Sequence, residues 1–464
     1  MAPTTTQIFC ASTLYGAATL AAALDADSFP AARRRLLLVC NNATNPETSP
    51  AVDEMPGFET LRDRFDEVLS WNEAISPFHP GAWSPRPDDV PLFERYLRLL
   101  WGLGEDRVEI VLESIQVNPA QAIAQVFPGA PIEVYADGLM SYGPTRNKLD
   151  PLIGTRVRRL LHLDLVPGLV PLLLTEFEVP ARTVPSSAFL KVLGQIGDAA
   201  GELPPLPDNS ALLLGQYLSA LDIMSAKEEE ELHVRMMRGA VARGHRAVVF
   251  KPHPSAPARY SRLLEAEAEK LGVELTVLDT PVLAEVLFEK ARPALVVGCF
   301  STALFTASAF YELPVARIGT QPLLERLTPY QNSNRVPVVL ADALLPDLEL
   351  DPTKPTKPGK PAKPGKPGKP GKREEIIPAD TLTGLVSAVG FVMQPQILSG
   401  LRPAAERYLR GHLDERTQRY FKRKRLTSLG LPGGIPERLS FLPHNSTARR
   451  VVRRAKALRK AIKR

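Results

Sequence analysis

Ala247-Val248-Val249-Phe250-Lys251-Pro252-His253-Pro254 is a short apolar run that ends on a histidine held between two prolines. A continuous rather than alternating run of this length reads as a strand buried on both faces, the sign of a parallel sheet covered by helices. The preceding segment, Glu228 to Arg243, reads as a helix with acids early and bases late, and Gly244 stops it. The unit is therefore helix, strand, then polar chemistry at the strand's carboxyl end, where open α/β sheets place their ligands.

The same pattern recurs outward in both directions. Strands are expected at Gln7–Cys10, Leu36–Cys40, Val108–Leu112 and Ile132–Tyr135, then at Ala211–Leu214, Ala247–Phe250, Leu275–Leu278, Leu295–Val297, Val315–Ile318 and Val336–Leu340. Helix-length segments separate them. The two series predict two doubly wound, Rossmann-like α/β domains facing across a cleft, at 1–200 and 208–400, with a helical extension over 401–464. The join falls in Gly201-Glu202-Leu203-Pro204-Pro205-Leu206-Pro207, which cannot continue a helix.

Composition agrees with this division. A chain of 464 residues that is 44% hydrophobic exceeds one ordinary core and suits two. Cys10, Cys40 and Cys299 have no paired spacing for zinc or a disulfide framework, which favours a reducing cytoplasm. No apolar run reaches the roughly 18–20 residues of a membrane span. No Lys or Arg precedes Arg33, so Ile8–Leu24 reads as strand, loop and helix rather than a secretory signal.

The net charge of +6 is unevenly placed. Residues 352–372 hold seven lysines and residues 446–464 hold nine Lys or Arg, with no acid in either; without those sixteen charges the remainder carries −10. Nucleic-acid binding through a basic folded surface thereby loses most of its support, and no nucleic-acid partner is expected. The Lys-Pro-x repeat of 354–372 reads as a solvated polyproline II insertion that interrupts the second domain. Read as a helix, the tail puts Val451, Ala455, Leu458 and Ile462 in a narrow apolar stripe between cations, suited to an anionic membrane face.

Three strand ends carry the candidate chemistry. Tyr135-Ala136-Asp137-Gly138-Leu139-Met140-Ser141-Tyr142 places Asp137 at a cleft edge, able to take a proton from an acceptor hydroxyl or simply to satisfy turn amides. His253 can hydrogen-bond or protonate a departing phosphate, with Lys251 adding positive charge. Gly298-Cys299-Phe300-Ser301-Thr302 opens a helix, whose free amides and hydroxyls suit a phosphate or serve as an ordinary cap. Gln216, after Ala211–Leu214, is placed to line the same nucleotide pocket.

In this order, Asp137-Gly138 with Ser141-Tyr142, then His253-Pro254, then Ser301-Thr302, the segments resemble the bacterial sialyltransferase group and most closely the α-2,8-polysialyltransferase-like family. That resemblance implies a GT-B fold and an inverting, metal-independent transfer from CMP-sialic acid, or a related CMP-nonulosonate, to a glycan acceptor hydroxyl, with no cofactor. It places Asp137 in the acid/base segment and His253, Ser301 and Thr302 on the CMP phosphate. Gly138, Lys251, Pro254 and Gln216, by their own placement beside these residues or at a strand end, are expected to line the substrate site. Where that family commonly has two acids before the glycine, this chain has Ala136-Asp137, so the base is Asp137 or Glu133 on the same strand face. The one Asp-x-Asp, Asp25-Ala26-Asp27, follows a helical alanine run and reads as a loop rather than a metal site. Two other readings use the same cleft: a UDP-sugar epimerase, and an inactive scaffold or glycan-binding module. The expected location is cytoplasmic, peripheral at the inner membrane face.

Overall fold

The computed structural model describes residues 4–201, 203–204, 206–253, 259–350 and 377–435. Pro254, the Lys-Pro insertion and the basic tail lie outside the described residues.

The first sheet contains β1 (Thr5–Ala11), β2 (Arg34–Val39), β3 (Glu67–Ser70), β4 (Arg107–Glu113), β5 (Ile132–Ala136), β6 (Val157–Leu163) and β7 (Ala181–Val184). The second contains β8 (Ala211–Leu214), β9 (Ala247–Lys251), β10 (Glu274–Val277), β11 (Leu295–Gly298) and β12 (Val315–Arg317). Their orders are β3-β2-β1-β4-β5-β6-β7 and β10-β9-β8-β11-β12, and the strand pairs are parallel. Each sheet starts in the middle, winds to one edge, then restarts on the other side. The order reverses between β1 and β4 and between β8 and β11, and a doubly wound sheet opens a crevice beyond its strands at such reversals. This is the two-domain α/β architecture called GT-B.

Apolar continuity explains both the strands and one mistaken strand. β1, β8 and β11 are buried almost throughout, because helices cover both faces. Val336–Leu340, expected as a strand, lies instead in a helix, Arg335–Leu344, in which Arg335 through Ala343 are all buried. A helix buried on every side shows the same unbroken apolar run as a buried strand. Pro337 is tolerated because it sits in the first turn, whose amides have no intrahelical partner. The first helix, Leu14–Asp25, ends on Asp25, so only Ala26 and Asp27 of the Asp-x-Asp are loop. Asp25 is held there by Arg64, whose Nε and Nη2 donate to its two oxygens at 2.8 and 2.7 Å.

The two sheets belong to one packed body. Tyr15 Oη and Thr306 Oγ1 are hydrogen-bonded at 3.0 Å, the Phe189 and Phe310 rings meet edge-on at 6.1 Å, and Arg146 donates to Ser333 Oγ at 3.1 Å. The late helix Ala379–Met393 crosses back to the first unit, where a side chain at Gly390 would strike Leu172, at 2.6 Å. Among the described residues no helix is long and apolar enough to cross a membrane.

Candidate active site

The cleft forms where the carboxyl edges of the two sheets meet. On the first side, β5 ends at Ala136, so the strand delivers Asp137 and Gly138 directly to the crevice. On the other side Ser301 caps the helix Thr302–Ala309, its hydroxyl accepting from the Ala303 amide at 3.3 Å. The two meet closely: a β-carbon on Gly138 would lie 3.0 Å from Thr302 Oγ1. Glycine is needed for that approach, since its φ of −136° is open to any residue.

Asp137 sits in a ring of oxygens around the start of the Leu14–Asp25 helix. A β-carbon on Gly16 would lie 3.0 Å from Thr13 Oγ1, 3.0 Å from Tyr135 Oη and 3.5 Å from Asp137 Oδ2. Burial first, and the Glu113 carboxylate second, push the Asp137 carboxyl up to about 7, while its own backbone amide and the Thr13 hydroxyl pull the other way. A carboxylate so placed is matched to proton abstraction near neutral pH.

Glu113 is the residue that sequence reasoning missed. It ends β4 at the switch point, opposite Tyr135 in the ladder. Its Oε2 accepts from the Ser12 amide and hydroxyl, both at 2.9 Å, and lies 3.2 Å from Tyr135 Oη. Glu133, the alternative base, does not reach the cleft: Arg159 Nε holds it at 2.6 Å. Glu113 also borders a pocket of about 170 Å³ shared with Cys10, Ser12, Cys40, Asn42 and Asn118. The Cys10 and Cys40 sulfurs come within 3.8 Å there, as free thiols.

On the second side, β8 lies between β9 and β11, so the loops after all three share one edge. His253 leaves the β9 end, about 10 Å of backbone from the β11 end across two strand spacings. Its ring is tilted 38° to Tyr217, with centroids 6.4 Å apart. Desolvation by its surroundings lowers the His253 pKa, opposed by Glu229 and helped by Lys251. The neutral imidazole that results can donate one proton to a phosphate oxygen. Lys251 donates to the Thr280 carbonyl at 3.2 Å, and burial lowers its pKa too.

Gln216, expected to line the pocket, has a structural task at that edge. Its Oε1 accepts from the Cys299 and Phe300 amides at 3.2 and 3.0 Å, so it braces the turn that delivers Ser301 rather than offering that oxygen to a ligand. Glu229, 0% exposed, braces the neighbouring loop by accepting from the Ser219 amide and the Tyr260 hydroxyl, each at 2.9 Å.

Two doubly wound sheets present a carboxylate from one edge and, from the other, a helix terminus with hydroxyls and a strand-end imidazole, an arrangement that suits group transfer from a phosphate. The sequence narrows the class. Residues 7–320 match the family described as alpha-2,8-polysialyltransferase, and the chain belongs to that family. Among solved structures, the GT-B domain of the Photobacterium damselae sialyltransferase is 13% identical, with a TM-score of 0.37, over 73% of this chain and 96% of that one. Acinetobacter baumannii MurG is 10% identical, with a TM-score of 0.39, over 90% and 97%. The Thermobaculum terrenum O-GlcNAc transferase is 13% identical, with a TM-score of 0.37, over 92% and 67%. No curated protein sequence matches the chain.

Proposed function

We propose that the protein transfers sialic acid, or a related nonulosonic acid, from its CMP donor to a glycan hydroxyl in a single inverting displacement that uses no metal. The observation that carries this reading is the contact of the Asp137-Gly138 turn with Thr302. In this reading the contact sets the base on one domain against the anion site on the other.

In this reading the acceptor oxygen attacks the anomeric carbon as the bond to the CMP phosphate breaks. The acceptor proton passes to Asp137, and the CMP leaves with the bond's electron pair. Charge growing on the phosphate is met by the amides opening Thr302–Ala309, by the Ser301 and Thr302 hydroxyls, and by His253. Such preorganised donors are each worth roughly 3–4 kcal/mol in a water-poor site. Glu113 raises the proton affinity of Asp137, filling electrostatically the place that Ala136 leaves without an acid. Inversion requires the base and the leaving group to lie on opposite sides of the reacting carbon.

Incubation with CMP-sialic acid and a glycan acceptor tests the reading. CMP release that depends on the acceptor is expected, with Asp137→Asn losing transfer while still binding CMP. Release from UDP-sugars alone contradicts it. Residues 446–464 are proposed to hold the protein against an anionic membrane face. Equal sedimentation with anionic liposomes, with and without them, ends that part.

A further inference from the structure

Glu229 is a buried charge that the transfer step does not itself use. It stands in the first turn of the helix Ala226–Ala242 and takes three donors on its two oxygens. The Leu218 amide donates to Oε1 at 2.5 Å, and the Ser219 amide and Tyr260 hydroxyl donate to Oε2 at 2.9 Å each. None of these partners is a cation, so neutral donors and the helix terminus offset the desolvation of this carboxylate. A neutral side-chain amide would be cheaper to bury, but it offers one acceptor oxygen, and here both oxygens face N–H or O–H donors.

This carboxylate fixes the loop 215–219, which leaves β8 between the β9 and β11 halves of the anion site. Successive residues of the loop reach both halves. The Gly215 amide donates to the Lys251 carbonyl at 2.9 Å, and a β-carbon there would lie 3.2 Å from Pro252 Cα. Gln216 holds the Cys299 and Phe300 amides that lead to Ser301. The Tyr217 ring stands between the His253 ring and Tyr260, with centroids 6.4 and 6.5 Å away. Leu218 and Ser219 then end on Glu229, whose charge is close enough to His253 to oppose the lowering of its pKa by desolvation.

We infer, on the CMP-donor reading above, that Glu229 is a positioning residue for the donor phosphate. By fixing this loop it sets the spacing between His253 and the Ser301–Thr302 helix start, two groups that must meet one anion. A misplacement of about 1 Å in such a pair can lower the rate about a hundredfold.

Isothermal titration of the full chain with CMP and with cytidine tests this, because the two ligands differ only in the phosphate. The parent is expected to prefer CMP at least about tenfold. Glu229→Gln turns one acceptor into a donor facing another donor. It is expected to weaken CMP about tenfold while cytidine stays within about twofold. Gln216→Ala releases the same loop from the Ser301 side and is expected to act alike, with the double variant binding CMP no more weakly than the poorer single. Tyr260→Phe removes one donor of three and is expected to weaken CMP about threefold, which carries the test if Glu229→Gln does not fold. A CMP preference that survives Glu229→Gln, or Tyr260→Phe in its place, overturns the proposal. Equal losses for both ligands, or losses that multiply in the double variant, overturn it too. A parent that binds CMP and cytidine alike overturns the donor reading, and the proposal with it.

Discussion

Glu113→Gln is expected to move the acidic limb of the pH–rate profile to lower pH. Asp137 must be ionised to accept a proton, so kcat/KM rises with pH through its pKa, pushed up to about 7 by burial and then by Glu113. The amide leaves the burial in place and removes only the repulsion. The contacts through Gly16 and Tyr135 Oη put the two carboxylates within about 10 Å, where like charges at an effective dielectric near 20 repel by at least about 1.7 kcal/mol, or somewhat over one pH unit. Asp137 is partly exposed at the cleft rim, and solvent screening reduces this to about one unit. Initial rates of acceptor-dependent CMP release, taken between about pH 5 and 9, read the limb directly. A limb that stays within about 0.2 units in a folded variant, or that rises, refutes the coupling of these two carboxylates.

The remaining predictions follow from contacts at the same cleft. His253→Ala should lower kcat about 100-fold, the worth of one preorganised donor, and a loss under about threefold removes the imidazole from the mechanism. Gly138→Ala should cut turnover about tenfold by forcing a methyl against Thr302 Oγ1, at 3.0 Å, while Tm moves by only a few degrees. Asp137→Asn should stabilise the fold at pH 8. The folded-state pKa of Asp137 is raised, so the parent loses stability as pH rises from about 4 to about 7. The gain, at most about 4 kcal/mol for a shift of about three units and less with solvent screening, should be read as a higher Tm at pH 8 that disappears near pH 4, and a pH-independent gain contradicts it.

Strands buried on both faces were legible because burial imposes an unbroken apolar run. β1, β2, β4, β5 and β8–β12 all coincide with such runs to within a residue or two. β3, β6 and β7 left no such mark: Glu67, the Arg158-Arg159 pair and Arg182 break their patterns, and β3 and β7 are sheet edges half open to water. Val336–Leu340 misled for the converse reason, since apolar continuity does not distinguish a buried helix from a buried strand.

Strand-end placement was legible: Asp137, His253 and Ser301 each stand within three residues of the end of a recognised strand. Glu113 has the same placement after Val108–Leu112, but its meaning depends on β4 lying beside β5, which is a long-range pairing. Gln216 was placed correctly at an edge, yet whether it faces a ligand or the neighbouring loop is decided by hydrogen bonds that sequence does not display.

A crystal structure of the protein soaked with CMP tests the central claim most directly. The phosphate is expected at the start of the Thr302–Ala309 helix, within hydrogen-bond reach of Ser301 or Thr302 and of His253, on the side facing Asp137. CMP bound with its phosphate away from that helix, or with His253 out of reach, contradicts the account.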